Sequence, residues 1–179
     1  MLDINNNSEF IDEFNRLLGG EFIWDDLSSK FIFKSDLGEF SLKNTAMSMK
    51  QFGLLQILLK NNKLKVDSFL ILDEPEVHIH PEWQVKLAEL IVLFIKKLNI
   101  HVYINSHSPA FIEAIEAYSL KYGLKDDTNF YLTVNEGDKF NIININRKEL
   151  YKIYDNLGDP YDIVDKIKAE NIKNGLLDV

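Results

Sequence analysis

The residues best suited to chemistry follow two short apolar runs in the middle of the chain. The run at 69–72 ends in two adjacent carboxylates, Asp73 and Glu74. A second run ends in Ser106 and His107, and His107 lies 33 residues after Glu74. If both runs are strands of one parallel sheet, a right-handed crossover brings them near each other. Since ligands bind at the carboxyl ends of parallel strands, we expect Glu74 and His107 to face one crevice.

Two adjacent acids at a strand end have different tasks. Because successive residues of a strand point to opposite sides, Asp73 and Glu74 cannot aim at the same atom. One of them suits Mg²⁺, held directly or through water, and the other suits orienting and deprotonating an attacking water molecule. His107 could donate a hydrogen bond to the charge that develops on a phosphate. These groups together fit the attack of water on a phosphate.

Two histidines, His78 and His80, follow the acids with one isoleucine between them. With Glu76 and Glu82 they could form a zinc site, because imidazole and carboxylate groups are zinc ligands. Residues two apart converge on a strand but not on a helix, and this segment lies at a predicted strand-to-helix turn. The competing interpretation is a polar loop in which a histidine caps the helix that begins at Pro81. We favour capping and keep the zinc hydrolase as an alternative.

Hydrophobic periodicity places these residues on an α/β scaffold. Short aromatic runs near the N-terminus are separated by turn residues, which predicts a small antiparallel meander. The middle of the chain alternates strand, helix, strand and helix, which predicts a mainly parallel sheet flanked by helices. The strand at 69–73 is a continuous apolar run, as expected for a strand covered on both faces. The other predicted elements are a helix at 8–18, a helix at 46–60 capped by Asn44 or Thr45, a helix at 81–98, a strand at 101–105, a helix from Pro109 capped by Ser108, two later strands, and two C-terminal helices broken at 158–160.

Composition limits the class of protein. The chain has 179 residues and a net charge of −8, from 20 Lys and Arg against 28 Asp and Glu. Such a balance gives no basic surface for phosphates, so nucleic-acid binding by this chain alone is not supported. The absence of cysteine excludes disulfides and thiolate metal sites. The first residues lack the features of a signal peptide, and the longest apolar run, 90–95, is too short to span a bilayer. We therefore expect a cytoplasmic protein.

The motifs around the two strand ends resemble those of ABC-class ATPases. "FLILDEPE", which begins at Phe69, looks like their Walker B strand, and "DEPEVHIHPEWQ" is similar to the form found in the OLD, RecF and SMC-like branch of AAA-type ATPases. "INSHSP" at 104–109 resembles the switch-histidine strand, and "NTAMSMKQFGLLQILLK" lies where the signature helix is expected. The resemblance covers about residues 19–165. It implies a partial P-loop NTPase core, the later half of such a domain.

The resemblance also implies roles for single residues. Asp73 would associate with Mg²⁺, and Glu74 would be the general base. His107 would contact the γ-phosphate of ATP and the attacking water. Ser48, at the signature-like helix, and Ser106, before the switch histidine, would contact the nucleotide. The implied cofactors are therefore Mg²⁺ and ATP.

The chain departs from the family pattern in two ways. It contains no G-x-x-x-x-G-K-[ST] motif, so the loop that holds the phosphates is not in it. In the signature-like stretch Ser48 stands where glycine is usual, after the bulky Met47. We expect one domain over 1–179, with the helix and meander at 1–45, the core at 46–146 and the C-terminal helices at 147–179.

Two functions follow from these observations. In the first, the chain supplies Walker B, the D-loop and the switch histidine for ATP binding and hydrolysis. Its partner is then a P-loop-bearing half or a full-length ATPase protomer, with dimer contacts through residues 76–80. In the second, the chain is a non-catalytic interaction module derived from such an ATPase. Members of this branch serve DNA repair, chromosome organisation and defence against phage, and the sequence does not choose among these processes.

Overall fold

A computed structural model describes residues 4–41, 47–157 and 160–173. The chain divides into two compact units, Met1–Lys125 and Asp126–Val179. The predicted helix caps Asn44 and Thr45 and the predicted break at 158–159 lie outside the described residues. None of the described helices combines the length and the apolar character needed to cross a membrane.

The helices and strands agree closely with the periodicity of the sequence. The described elements of the first unit are, in order, α1 (Ile4–Leu18), β1 (Glu21–Asp25), β2 (Lys30–Ser35), β3 (Gly38–Ser41), α2 (Met47–Lys60), β4 (Phe69–Asp73), α3 (Pro81–Leu98), β5 (His101–Asn105) and α4 (Pro109–Lys121). Those of the second unit are β6 (Phe130–Asn135), β7 (Phe140–Ile145), a short 3-10 helix (Arg147–Glu149), α5 (Tyr151–Leu157) and α6 (Pro160–Lys173).

The predicted meander is present as an antiparallel sheet in the order β1–β2–β3. Phe22 and Phe33 lie opposite each other on its buried face, with ring centroids 4.9 Å apart. The chain enters this sheet through Gly20, where a Cβ atom would lie 2.5 Å from the carbonyl oxygen of Lys34. A larger residue would therefore push α1 away from β2.

A buried glutamine ties the meander to the helices. Gln56 of α2 is fully buried, and its Oε1 atom accepts a hydrogen bond from the backbone N–H of Phe22 at 2.5 Å. Its Nε2 atom donates to Oδ1 of Asn15 in α1 at 2.6 Å. Lys60 lies 2.6 Å from Glu21 at the end of α2. The polar atoms of Gln56 are thus paired in the core, as a buried amide requires.

Helix α3 is the centre of the core. Leu87, Leu90 and Phe94 lie along one apolar stripe of this helix and are buried, and residues outside the stripe, such as Val92 and Leu93, are buried as well. The additional burial arises because α3 contacts both α1 and α4. The helix ends at Asn99, which adopts the left-handed conformation (φ 50°) typical of a helix end.

Strands β4 and β5 pair in parallel, in register from Phe69 opposite His101 to Asp73 opposite Asn105. Leu70, Leu72, Val102 and Ile104 face the core. The other face is not covered by the described residues: Phe69 and Ile71 are each 66% exposed and Tyr103 is 54% exposed. The prediction that β4 is covered on both faces therefore holds for one face only. Among the described strands this pair alone is parallel, and a larger, mainly parallel sheet stays a prediction.

The second unit consists of the β6–β7 hairpin followed by helices. The hairpin is antiparallel and pairs only with itself among the described strands. The hairpin makes its ladder locally, and Phe140 and Ile142 are exposed. The single domain over 1–179 with a core at 46–146 stays a prediction.

Candidate functional site

The strand β4 ends at Asp73 because the chain turns sharply at the next residue. Glu74 has a φ angle of 45°, in the left-handed region, so it cannot continue the strand. Its backbone N–H still donates to the carbonyl oxygen of Asn105 at 2.8 Å. This bond fixes the backbone of Glu74 against the end of β5. The two strand ends therefore meet, as the crossover argument predicted.

Asp73 lies at the carboxyl end of the uncovered sheet face. Its Oδ1 atom accepts a hydrogen bond of 2.8 Å from the Nδ2 atom of Asn105, and the residue is exposed. Asp73 and Asn105 are cross-strand partners. Glu74 comes from the turn beyond the strand, so the two acids occupy different positions in the site.

Glu74 and His107 come together across the two strand ends. The Oε1 atom of Glu74 lies 3.4 Å from Nε2 of His107. The side chain of Glu74 is 44% exposed and that of His107 is 68% exposed. A carboxylate and an imidazole are thus adjacent and open to solvent, and a second acid, Asp73, directly precedes Glu74 in the chain. Such a pair can accept and donate protons at one position.

Glu76, which the sequence suggested only as a possible zinc ligand and as part of the D-loop, contacts the end of β5 in the structure. Its side chain is buried, with 4% exposure. Its Oε1 atom accepts hydrogen bonds from the hydroxyl of Ser106 at 2.5 Å and from the backbone N–H of His107 at 3.1 Å. The sequence shows an acid two residues after Glu74, but this position alone suggested a metal ligand and not a contact with β5. Its contacts lie 30 residues away along the chain, where periodicity carries no information.

Ser106 and Ser108 use their hydroxyl groups within the protein. The hydroxyl of Ser106 donates to Glu76 and accepts from the backbone N–H of Ser108 at 3.1 Å. Ser108 is the N-cap of α4, as predicted, and its Oγ atom accepts from the N–H of Phe111 and donates to Gln84. The predicted nucleotide contact of Ser106 stays a prediction. In this structure its hydroxyl holds the loop.

The two histidines after Glu76 have separate surroundings. His80 is the N-cap of α3, and its Nδ1 atom accepts from the N–H of Glu82 at 3.4 Å, in agreement with the capping interpretation. His78 is exposed in the turn with a φ angle of 64°. The described residues contain no group of three or more His, Asp or Glu side chains arranged to hold a metal ion. The zinc alternative therefore has no support in the described geometry.

The segment 76–80, predicted to be a D-loop, faces two ways. Glu76 and Ile79 are buried, and Ile79 belongs to the hydrophobic core. Val77 and His78 are exposed. Within this segment, the side chains exposed for contact with another protomer are therefore Val77, His78 and His80.

Ser48 is located by its backbone in the first turn of α2. Its side chain lies outside the described residues, so its predicted contact with the nucleotide stays a prediction.

The donor chemistry at the strand ends suits Mg²⁺. Asp73 offers an exposed carboxylate with one oxygen bonded to Asn105. Oxygen ligands are those that Mg²⁺ prefers, and it commonly binds one or two carboxylates together with water and the phosphates of a substrate. The residues present therefore fit the ion if phosphate oxygens complete its coordination.

The chain matches one protein family and resembles solved structures. The family described as "AAA domain, putative AbiEii toxin, Type IV TA system" matches residues 3–113. No curated protein matches the chain. Solved structures with a similar fold include two ATPase-related proteins.

One of these structures comes from a study of ATP-driven dimerization and DNA-stimulated activation of SMC ATPases. It is 12% identical, with a TM-score of 0.60, and the match covers 87% of this chain and 92% of that one. The other is an Smc head domain from Pyrococcus furiosus with an extended coiled coil, bound to the C-terminal domain of ScpA. It is 14% identical, with a TM-score of 0.53, and the match covers 86% of this chain and 38% of that one. At these identities the likeness shows a mixed α/β fold similar to SMC ATPase heads.

The family match spans more than half of the chain and includes β4, β5 and the acids and histidine at their ends. The chain therefore belongs to the family described as AAA domain, putative AbiEii toxin, and is an ABC/AAA-type ATPase domain.

Proposed function

We propose that this chain supplies the general base and the switch histidine for ATP hydrolysis by an ABC-type ATPase. The observation that carries the proposal is the pairing of Glu74 with His107, 3.4 Å apart at the ends of two parallel strands. Both groups are open to solvent, so an attacking water and a phosphate can reach them. Membership of an ATPase family gives the pair its substrate class.

Each strand-end residue has a separate task in this proposal. Glu74 accepts the proton of the attacking water, a contribution of roughly 10²–10⁴ in rate. His107 orients that water and donates a hydrogen bond to the γ-phosphate. Asp73, with Asn105 holding one of its oxygens, would hold Mg²⁺ directly or through water. The bound ion would neutralise charge on the β- and γ-phosphates.

The phosphate-binding loop comes from a different segment or polypeptide, because the chain has no P-loop motif. The uncovered face of β4 and β5 supports this proposal. Phe69, Ile71 and Tyr103 form an exposed apolar surface that ends at Asp73. A P-loop-bearing segment packed on this surface would be next to the catalytic acids. Burial of the exposed apolar surface under that segment would also remove apolar area from water, which favours the complex.

A second protomer would complete the nucleotide site. SMC ATPases undergo ATP-driven dimerization, according to the study of the first related structure. For the present chain we propose contacts through the exposed side chains Val77 and His78 of the predicted D-loop. We also propose that Ser48, at the N-terminus of α2, faces the nucleotide of the partner, where backbone N–H groups favour an anion.

The proposal is tested by purifying the chain alone and together with a candidate P-loop-bearing polypeptide that binds it. We expect the chain alone to show no ATP hydrolysis above background, because its sequence contains no P-loop motif to hold the β- and γ-phosphates. We expect the complex to hydrolyse ATP with Mg²⁺. Glu74→Gln should keep nucleotide binding and reduce turnover on the order of 10²–10⁴-fold, since it keeps the shape and removes the base. Glu113→Gln, at an exposed position of α4, is the matched control.

Three results would contradict the proposal. Turnover by the chain alone that vanishes with Glu74→Gln would show that no P-loop half is needed. Unchanged turnover of the complex with Glu74→Gln would remove Glu74 from the mechanism. If the partner binds but neither Glu74→Gln nor His107→Ala changes the ATP turnover of the complex, the non-catalytic interaction module is favoured.

A further inference from the structure

We propose that Glu76 is a positioning residue of this site: its buried carboxylate fixes the backbone at Ser106 and His107 so that the imidazole of His107 faces Glu74. The catalytic meaning of this inference rests on the proposed function. Its geometric content rests on the contacts of Glu76 and can be tested without ATP.

The burial of Glu76 calls for a physical reason. It is the one acid among the buried polar residues of the described chain, whose other members are Gln56 and Ser119. A buried carboxylate is costly unless it receives hydrogen bonds. Its Oε1 atom receives two, from Ser106 and from the N–H of His107, while its Oε2 atom is buried without a partner among the described residues. The buried carboxylate therefore holds residues 106–107 through two hydrogen bonds, while its unpartnered Oε2 atom costs stability.

The position of the His107 side chain depends on its backbone. The imidazole is 68% exposed, so the packing of neighbours does not hold it. Its backbone N–H is held by Glu76, and the hydroxyl of Ser106 connects Glu76 to the N–H of Ser108. One carboxylate oxygen thus organises the loop from 106 to 108. On the other side, the bond from Glu74 N–H to Asn105 fixes Glu74.

The role of Glu76 follows from the shape of its carboxylate more than from its charge. In Glu76→Gln the amide oxygen can still accept both hydrogen bonds, and the amide nitrogen takes the place of the unpartnered Oε2. In Glu76→Ala both bonds are lost. A group that acts by its charge, as a base or a metal ligand, would lose its function in both variants. A positioning residue should lose it mainly in Glu76→Ala.

The test measures how His107 responds to Glu74 in the purified full chain by NMR. The imidazole resonances of His107 are compared before and after Glu74→Gln, in the wild-type background and in each Glu76 variant. We expect a clear chemical-shift change in the wild type and in Glu76→Gln, and a change reduced at least severalfold in Glu76→Ala. The amide proton of His107 should exchange slowly in the first two and quickly in Glu76→Ala. Glu113→Ala, at an exposed position, is the control for removing an acid.

The outcomes decide between positioning and other roles. An equal response of His107 to Glu74→Gln in Glu76→Ala and in the wild type would overturn the proposal. If Glu76→Ala does not fold, Glu76→Asp takes its place, because it keeps the charge and withdraws the carboxylate by one methylene. A reduced response in Glu76→Asp would support positioning, and a full response would overturn it.

Activity of the complex with the P-loop-bearing partner gives a second readout. We expect Glu76→Ala to reduce kcat on the order of 10–100-fold with little change in KM, since misplacement of a catalytic group acts on turnover. The reduction in kcat should be smaller for Glu76→Gln than for Glu76→Ala. An equal loss in both variants would indicate direct chemistry by the charge and would overturn positioning. If no hydrolysis is found at all, the NMR result still tests the geometry, so the two failures are distinguishable.

Discussion

Two residues of the turn after β4 have backbone angles that residues with a side chain rarely adopt. Glu74 has a φ angle of 45° and His78 one of 64°. Left-handed residues other than glycine cost about 1–2 kcal/mol, and such strain is concentrated at functional sites. At Glu74 the strain accompanies a turn that directs the carboxylate to His107. At His78 it shapes the exposed part of the predicted D-loop.

The strain at His78 can be measured by replacing it with glycine. We expect His78→Gly to raise the free energy of unfolding by up to about 1 kcal/mol, because relief of strain exceeds the entropy that glycine adds to the unfolded chain. Val77→Gly is the matched control, since Val77 is exposed in the same turn and has no positive φ angle. It should lower stability. Chemical denaturation measures both, and a loss of stability in His78→Gly would mean that its turn is not strained.

At the scale of elements, helices α3 and α4 are joined by a polar clamp centred on Glu89. Its Oε1 atom accepts a hydrogen bond from the hydroxyl of Tyr122 at 2.6 Å and from Nζ of Lys121 at 3.0 Å. The side chain of Glu89 is 15% exposed. Partial burial acts to raise the pKa of Glu89, but the hydrogen bonds from Tyr122 and Lys121 outweigh it and hold the pKa below its usual 4.5. The clamp fixes the helices that follow β4 and β5.

The lowered pKa of Glu89 predicts how the clamp depends on pH. A carboxyl group with a lower pKa in the folded state adds stability above its unfolded pKa, and this stability is lost as the pH falls through the folded value. Glu89→Gln should therefore cost about 1 kcal/mol near pH 7, and the difference from the wild type should shrink below about pH 4.5. Chemical denaturation of both proteins at several pH values measures this difference in the free energy of unfolding. A difference that is constant from pH 7 to pH 3 would contradict the role of the charge.

The element boundaries could be predicted because their signals are local. Helix α3 begins at Pro81 behind the cap His80, and β4 ends where the apolar run meets Asp73. The pairing of Glu74 with His107 could also be predicted from the sequence. A crossover through one helix places β5 near β4, so the two residues that follow these strands lie close together. Glu76 could not be assigned, because its burial depends on Ser106, 30 residues away. The sheet that β6 and β7 join could not be predicted, because their apolar pattern does not identify the strands they pair with.

At the scale of the first unit, the uncovered face of β4 and β5 is the most unusual surface. Phe69, Ile71 and Tyr103 are exposed on neighbouring strands, and each strand has no second partner among the described strands. Contiguous exposed apolar surface marks interaction sites or causes aggregation, and an open strand edge can pair with another chain. Burial of such surface contributes about 25 cal/mol per Å². A partner that covers it would gain several kcal/mol from a few hundred Å².

The purified chain without a partner leaves the apolar face of β4 and β5 open to solvent. We expect it to self-associate through this face, and the double change Ile71→Thr with Tyr103→Thr should reduce association while changing the free energy of unfolding by about 0.5 kcal/mol or less, as at other exposed positions. Leu72→Thr, which faces the core on the same strand, is the control and should cost clearly more. Sedimentation measures association, and hydrogen exchange should show weak protection at β4 amides that point away from β5. Strong protection from Leu70 to Asp73 in a clean monomer would mean that the chain completes its own sheet, and the case for a partner on this face would then be lost.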